Sequence, residues 1–207
     1  MTTTEGRRAP HARGQGDRLR HELVEAAAAL LARPRTVPAP SLRAVARAVG
    51  VSPAAVYLHF ASQADLVWAV LERHLDGLAA ALHAADDPAL DVRERMHGGA
   101  AAYVAWGLEH PGAYQLLFES VDTLDIDGGQ DVPGDRLVEE TAEILVDGGV
   151  AVDAARRAAT RTWMALHGLV SLRLHKPHQE WPDGLDRDRR ALVDAMLDTV
   201  LERRTGR

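Results

Sequence analysis

The sequence predicts an all-α chain, in which a three-helix, helix-turn-helix head is joined by a long fourth helix to a helical bundle. Three observations predict it. Apolar residues make up 46% of the 207 residues, but Ala and Leu dominate them and aromatics are only 4%. Ala and Leu are strong helix formers, and runs of β-branched residues, which favour strands, are nearly absent. Leucines, valines and alanines recur at intervals of three and four, the period of a helix with one apolar face. Ser, Asp, Pro and Gly stand where helix ends need them.

Residues 1–16 are rich in Thr, Gly, Arg and Pro and are expected to form a flexible basic arm. From Asp17, an available N-cap, the positions Leu19, Leu23, Ala27 and Leu30 mark a first helix. Pro34, Pro38 and Pro40 then break the chain. Ser41 caps a second helix that closes at Gly50, and Ser52-Pro53 opens a short third one. The run Ser62-Gln63-Ala64-Asp65 is a capping box for a fourth helix reaching about His83. A fifth helix follows Pro88 and ends near Glu109, and a sixth runs from Pro111 through Phe118. Residues 122–134 read as loop, with glycines, a proline and acids. Helices are then expected over 135–146, from an Asp153 cap to His175, and over 185–204, with a loop at 176–184. No repeat of 20–50 residues is visible. The expected divisions are the arm at 1–16, the head at 17–62 and the bundle at 63–207.

Charge is unevenly spread along this plan. The whole chain carries −6, yet residues 1–62 hold nine arginines against four carboxylates, a net +5 that leaves −11 on the remainder. A basic end on an acidic body is the layout of a protein that presents one end to a polyanion; a basic tail with no partner would carry the same charges. The chain has no cysteine, which excludes disulfides, thiolate metal sites and cysteine nucleophiles. No apolar run approaches the ~18 residues that crossing a bilayer requires, so no membrane partner is expected. The polar opening contains no apolar secretory core, so a cytoplasmic location is expected. Nucleophile-elbow, zinc-protease and phosphate-loop motifs are lacking, so neither an enzyme nor a cofactor is expected. His175 and His178 flank Pro177 without carboxylates on a helix face, so no metal site is expected either.

The segment Ser41 to Phe60 carries the functional argument. Two helices that cross tightly, so that the second can enter a DNA major groove, need a small residue at the crossing; Ala46 supplies it. The turn needs a residue tolerant of positive φ, supplied four positions on by Gly50. The second helix needs an inward apolar residue, supplied by Val56, with Val45, Val49 and Val51 completing a small core. An ordinary helical hairpin would share some of this pattern. The turn Gly50-Val51-Ser52, the stretch Val56-Tyr57-Leu58-His59-Phe60 and the Ser62…Asp65-Leu66 opening together resemble the TetR family of transcriptional regulators. The match covers about the first 70 residues. The resemblance implies that Ser41 and Arg43 hold phosphate, that Pro53, Ala54, Ala55 and Leu58 face the groove, that Tyr57 and His59 reach the DNA backbone, and that Ser52 belongs to the same DNA-binding set. Phe60 would pack inward. Tyr57 could instead be a core aromatic, and His59 could pack against the first helix.

Two departures weaken the fit. Gln63 stands where the family usually has a phosphate-binding lysine, and 33–38 replaces the family's glycine-aromatic turn. The reading helix also lacks Arg, Asn and Gln, so no bidentate base contact comes from it. Specificity is then expected from Arg43, Arg47, the arginine arm or DNA shape.

In the bundle, Tyr103, Trp106, Tyr114 and Phe118 form one aromatic group, and Trp163 with His167, one turn apart, forms a second. The run Trp163-Met-Ala-Leu-His167-Gly168, with His110-Pro-Gly-Ala-Tyr114 upstream, is similar to the TetR subgroup named for a Trp, His, Gly segment. These six residues are expected either to line an effector cleft or to form plain core. The expected function is a repressor that binds a palindromic double-stranded DNA operator as a homodimer and is released by a small apolar or amphipathic effector. The alternative is a DNA-binding regulator switched by a protein partner. The dimer is expected to form through 166–174 and 192–200, where Leu192, Met196 and Val200 make an apolar stripe, and the resemblance implies a four-helix interface.

Overall fold

The computed structural model describes residues 15–31, 40–119 and 133–201. Residues 1–14 of the expected arm, the proline-rich break after the first helix, most of the 122–134 loop and the last residues of the chain lie outside them; Gln15 and Gly16, expected in the arm, open the first helix instead. Among the described residues there are nine helices and no strand: α1 (Gln15–Leu31), α2 (Leu42–Val49), α3 (Pro53–Tyr57), α4 (Gln63–Ala85), α5 (Val92–Glu109), α6 (Pro111–Glu119), α7 (Pro133–Asp147), α8 (Val152–His175) and α9 (Leu185–Leu201). They fall into two compact units. The first holds the described residues up to Val70, and the second runs from Leu71 onward, so the division falls inside α4 rather than at its start.

In the first unit α2 packs on both α1 and α3. The buried face of α1 is Leu23, Val24, Ala27, Ala28 and Leu31, whereas Leu30 is 38% exposed. Adjacent pairs four residues apart keep that face on one side of a 3.6-residue helix; Leu30, seven residues from Leu23, lies at the margin of it and Leu31 nearer its centre. The helix also starts two residues before Asp17, which sits in its first turn rather than at its cap. At the head of α2 the Ser41 hydroxyl accepts from the Ala44 N–H at 3.2 Å. At its end Gly50 takes φ 76°, and the Val51 N–H reaches back to the Ala46 carbonyl at 3.0 Å. A side chain with a Cβ would be strained in that left-handed conformation. Leu42, Val45, Ala46, Val56 and Phe60 close the small core behind this turn.

The second unit is organised around α8, which packs against α5, α7 and α9. Its buried side carries Ala155, Ala158, Ala159, Thr162, Leu166, Leu169 and Val170. Small residues there let neighbouring helices approach closely. The expected Asp153 cap is not formed: Ala151 precedes the helix without any side-chain capping bond. A capping box occurs instead at α5, where Asp91 and Glu94 exchange bonds at 2.9 and 3.4 Å. Residues Pro133 and Gly134, read as loop, lie in the first turn of α7; Pro is favoured there because its missing N–H has no helical partner anyway. The α5–α9 contact is polar as well as apolar. Arg93 pairs with Asp194 and with Asp198 at 2.7 Å, and buried Arg189 donates to the His97 carbonyl at 2.9 Å.

Gly107 on α5 measures how tight this packing is. A Cβ there would lie 2.8 Å from Val170 Cγ1 and 2.9 Å from Tyr114 Cδ2, both fully buried side chains. Gly107→Ala gains up to ~1 kcal/mol of helix propensity but costs ~1–3 kcal/mol of overpacking. The variant is therefore expected to be less stable by roughly 1–2 kcal/mol in urea unfolding. Equal or greater stability would show that α5 and α8 have room to separate.

Candidate functional site

Each of the two units carries one candidate site. In the first, the helix-turn-helix offers an outward face made by its caps and its short second helix. Ser52 Oγ accepts from the Ala55 N–H at 3.2 Å, which starts α3 directly after the glycine turn. Val56 is buried, so its neighbours point away: Tyr57 is 57% exposed and Leu58 is 85% exposed. Ser52, Pro53 and Ala54 are exposed and Ala55 is half-buried, while Ser41, Arg43 and Arg47 are exposed on α2. Tyr57 is thus not a core aromatic. His59 is half-buried and lies toward α1, its Cε1 3.9 Å from where a Gly16 Cβ would stand. Phe60 is buried with the Arg20 guanidinium 5.2 Å over its ring. The Ser62–Asp65 capping box is formed, with bonds of 2.9 and 3.1 Å, and exposed Gln63 opens α4. The three capping serines, Ser41, Ser52 and Ser62, accept with Oγ, which leaves each hydroxyl hydrogen available to an outside acceptor.

In the second unit five of the six expected effector residues come together. The Tyr103 and Tyr114 hydroxyls are 3.0 Å apart, and Tyr114 Oη lies 2.7 Å from His167 Nδ1. The His167 ring stacks on Tyr114 at 5.6 Å, Phe118 sits 4.9 Å from Tyr114, and Trp163 lies 6.3 Å from Phe118. Trp106 is apart from this group; it packs with His74 and His110, at 6.4 and 5.1 Å, facing Gly77 of α4.

Beside the cluster lies a cavity of about 200 Å³, bounded by α4, α5, α7 and α8. Of the six residues only Tyr103 and Trp163 line it. Tyr114, Phe118 and His167 are outside its wall because they pack on one another, with the Tyr114 hydroxyl held between Tyr103 and His167. The rest of the wall combines apolar side chains, such as Met96, Leu137, Ile144 and Leu166, with a charged end at Asp86, Arg95 and Asp147. Arg95 holds Asp86 through two bonds, of 2.7 and 3.0 Å, and approaches Asp147 at 3.5 Å. These bonds from Arg95 hold the Asp86 carboxyl below the usual carboxylate range, against the opposing effect of burial. Burial drives Tyr103 the other way, to about 12, against the opposing influence of Tyr114 and Trp163. Tyr103 therefore stays a neutral hydroxyl across the physiological range.

Residues 96–200 match the family described as "Tetracyclin repressor-like, C-terminal domain", and residues 23–70 match "Bacterial regulatory proteins, tetR family". The chain belongs to the TetR family of transcriptional regulators. Among curated relatives, the HTH-type transcriptional activator FasR of Mycolicibacterium smegmatis is 35% identical over 77 residues, which span 37% of this chain and 35% of FasR. Among solved structures, a TetR-like transcriptional regulator from Rhodococcus sp. RHA1 is 21% identical, with 93% of this chain and 98% of that one covered and a TM-score of 0.67. A protein of unknown function from the same organism is 25% identical, with 92% and 98% covered and a TM-score of 0.71. The TetR family regulator PfmR of Thermus thermophilus is 23% identical, with 84% and 96% covered and a TM-score of 0.62. These likenesses show the all-helical TetR fold.

Sequence reasoning missed much of the cavity of this TetR regulator. Thr162, Gly99, Arg95 and Asp86 line it, yet none is aromatic or part of a motif. One signal was present: the paired Gly98 and Gly99 inside a helix. A Gly98 Cβ would meet the Ala85 carbonyl oxygen at 2.8 Å, and a Gly99 Cβ would meet nothing within 4 Å. The first marks a close helix approach and the second an opening.

The Asp86–Arg95 pair gives a pH signature. A carboxyl whose pKa falls on folding contributes stability that is complete above its unfolded value, ~3.9, and lost as pH drops through the folded value. Asp86→Asn is expected to cost roughly 0.5–1 kcal/mol at neutral pH, and this difference should shrink as the pH is taken below ~4. Urea unfolding of both proteins across that range checks it; a gap that is constant with pH would rule out the ion pair as its source.

Proposed function

We propose that this TetR-family regulator is a homodimeric repressor that binds a palindromic operator in double-stranded DNA and is released by a small apolar or amphipathic effector. The observation that carries the DNA half is the outward face of α3, where buried Val56 and Phe60 anchor the segment and leave Tyr57 and Leu58 in solvent. Ser41 and Arg43 would grip phosphate at the start of α2, with Tyr57, His59 and Gln63 adding backbone contacts. Pro53, Ala54, Ala55 and Leu58 would meet base edges by apolar contact, chiefly thymine methyls. The net +5 of residues 1–62 supports a polyanion partner.

The cavity supports a small-molecule effector over a protein partner as the switch, with Tyr103 and Trp163 as wall residues and Tyr114, Phe118 and His167 as the packed layer behind them. A Trp, His, Gly subgroup assignment accords with this placement of Trp163 and His167. Leu82 and His83 of the wall lie on α4, the helix that begins at Gln63 shortly after the reading helix. A ligand that prefers one position of α4 then weakens DNA binding by its differential affinity, and ~1–3 kcal/mol corresponds to 5- to 150-fold. Half-buried Leu192, Met196 and Val200 on α9, with exposed Met164 and Leu172 on α8, offer the apolar stripe for a second copy. No described helix is long and apolar enough to cross a membrane, and a cytoplasmic location fits a DNA-binding role. The FasR match raises the opposite sign of regulation, which a reporter gene behind the selected operator decides.

Selection of binding sites from random duplex DNA should return a two-fold symmetric motif, with reading helices spaced ~34–36 Å apart. Tyr57→Phe should lose about 1 kcal/mol, roughly fivefold in affinity, on every sequence alike. Met196→Asp should sediment as a monomer and lose specific binding. One chain per site in native mass spectrometry, or a Tyr57→Phe protein of unchanged affinity at several salt concentrations, would overturn the reading.

A further inference from the structure

We infer that the cavity takes an elongated amphipathic cation, a protonated amine at one end and a hydrogen-bonding oxygen at the other with an apolar body between. The inference rests on the effector reading and names the ligand's chemistry. The cavity is polarised lengthwise. Arg95 and Tyr103 both line it from α5 and are eight residues apart, about 12 Å along the helix axis. At the Tyr103 end stands Trp163, whose ring lies against Gly134 in the first turn of α7. Asp147, the last residue of that same helix, closes the Arg95 end.

The two ends differ in chemistry. At the aromatic end one polar group is buried without a hydrogen-bond partner: the hydroxyl of Thr162, a residue only 5% exposed. Buried polar groups are nearly always satisfied, so an unfilled hydroxyl on a cavity wall points to an oxygen brought by a ligand. At the other end carboxylates outnumber cations. Asp86, Glu140, Glu143 and Asp147 line the wall, with Arg95 its one lysine or arginine among the described residues. Arg95 is engaged by Asp86, Glu140 is paired with Arg136 at 2.9 Å, and His83 Nδ1 bonds the Ala79 carbonyl of its own helix. Glu143 makes no ion pair among the described residues, and Asp147 has only the 3.5 Å contact with Arg95. An anion entering here would meet a guanidinium already occupied and two carboxylates in excess; an ammonium would meet complementary charge. The volume also limits size. A dry cavity of about 150 Å³ holds one benzene, so about 200 Å³ holds one ring with a short chain.

Isothermal titration of the full-length protein with three probes that share a phenyl body tests this. Tyramine carries the ammonium and the phenol oxygen, 3-(4-hydroxyphenyl)propionate replaces the ammonium with a carboxylate, and phenethylamine lacks the oxygen. Tyramine is expected to bind at least about tenfold tighter than either, since one well-placed charge or hydrogen bond corresponds to about that ratio. Glu143→Gln with Asp147→Asn, both at exposed positions, should erase the preference over the propionate. Thr162→Val should erase most of the preference over phenethylamine. Gly99→Leu, which places a side chain in the open space, should abolish binding of all three in a protein that still unfolds cooperatively. Propionate binding as tight as tyramine, and blocked by Gly99→Leu, would overturn the cation while leaving a small-molecule effector standing. Tyramine binding that survives Gly99→Leu would place it elsewhere and overturn the assignment. Absence of binding by all three probes at millimolar concentration would overturn the cation and count against the effector reading too.

Discussion

Close approach of helices through small residues is the constraint on which the second unit depends. A chain with so few aromatics cannot fill a wide interior with side-chain volume, so its helices must meet nearly backbone to backbone. Ala155, Ala158 and Ala159 on α8 and Gly107 on α5 make that contact. Where Tyr103, Tyr114, Phe118 and Trp163 intervene, the helices are held apart and the interior becomes a stacked aromatic layer with a cavity beside it. Tight packing and open space are two outcomes of one distribution of side-chain sizes.

The polar groups of that interior follow from the same arrangement. Tyr114 is fully buried, and its hydroxyl is satisfied twice over, by Tyr103 and by His167. That pairing uses the polar capacity of the layer internally, which is why Tyr114 and His167 stand behind the cavity wall. Thr162, a little over one turn back along α8 from His167, has no such partner and lines the space instead. The ion pairs sit farther out, where Arg95 can satisfy two acids while its own side chain is 11% exposed. Arg93 and Arg189 tie α5 to α9 in the same way.

In the first unit a different balance applies. Its core is a handful of aliphatic side chains and one phenylalanine, so local geometry carries more of the specification. Serine caps at 41, 52 and 62 and a left-handed glycine at 50 set the start and stop of each helix within a residue. The consequence is functional: once Val56 is buried, the short length of α3 obliges Tyr57 and Leu58 to face solvent. An exposed apolar surface of this kind is uncommon in an ordinary monomer, and it accords with the DNA contact proposed for this face.

Local signals in the sequence determined the helices, the serine caps at 41, 52 and 62, the turn at Gly50 and the TetR family, because each depends on residues within a few positions of one another. The capping box at Ser62 was legible in four letters. Signals failed where a tertiary partner decided the outcome. Leu30 fits a helical stripe as well as Leu31 does, but only the position of α2 selects which is buried. Trp106 is as aromatic as Tyr103, yet it turns to His74 and His110 while Tyr103 turns to Tyr114. Of the cavity the sequence carried only the glycine pair at 98 and 99 and the aromatics Tyr103 and Trp163, since its wall joins Leu82, Arg95, Ile144 and Thr162 from four helices. Periodicity and capping are properties of one segment; a void, and the charges that ring it, exist only once several segments have been packed against each other.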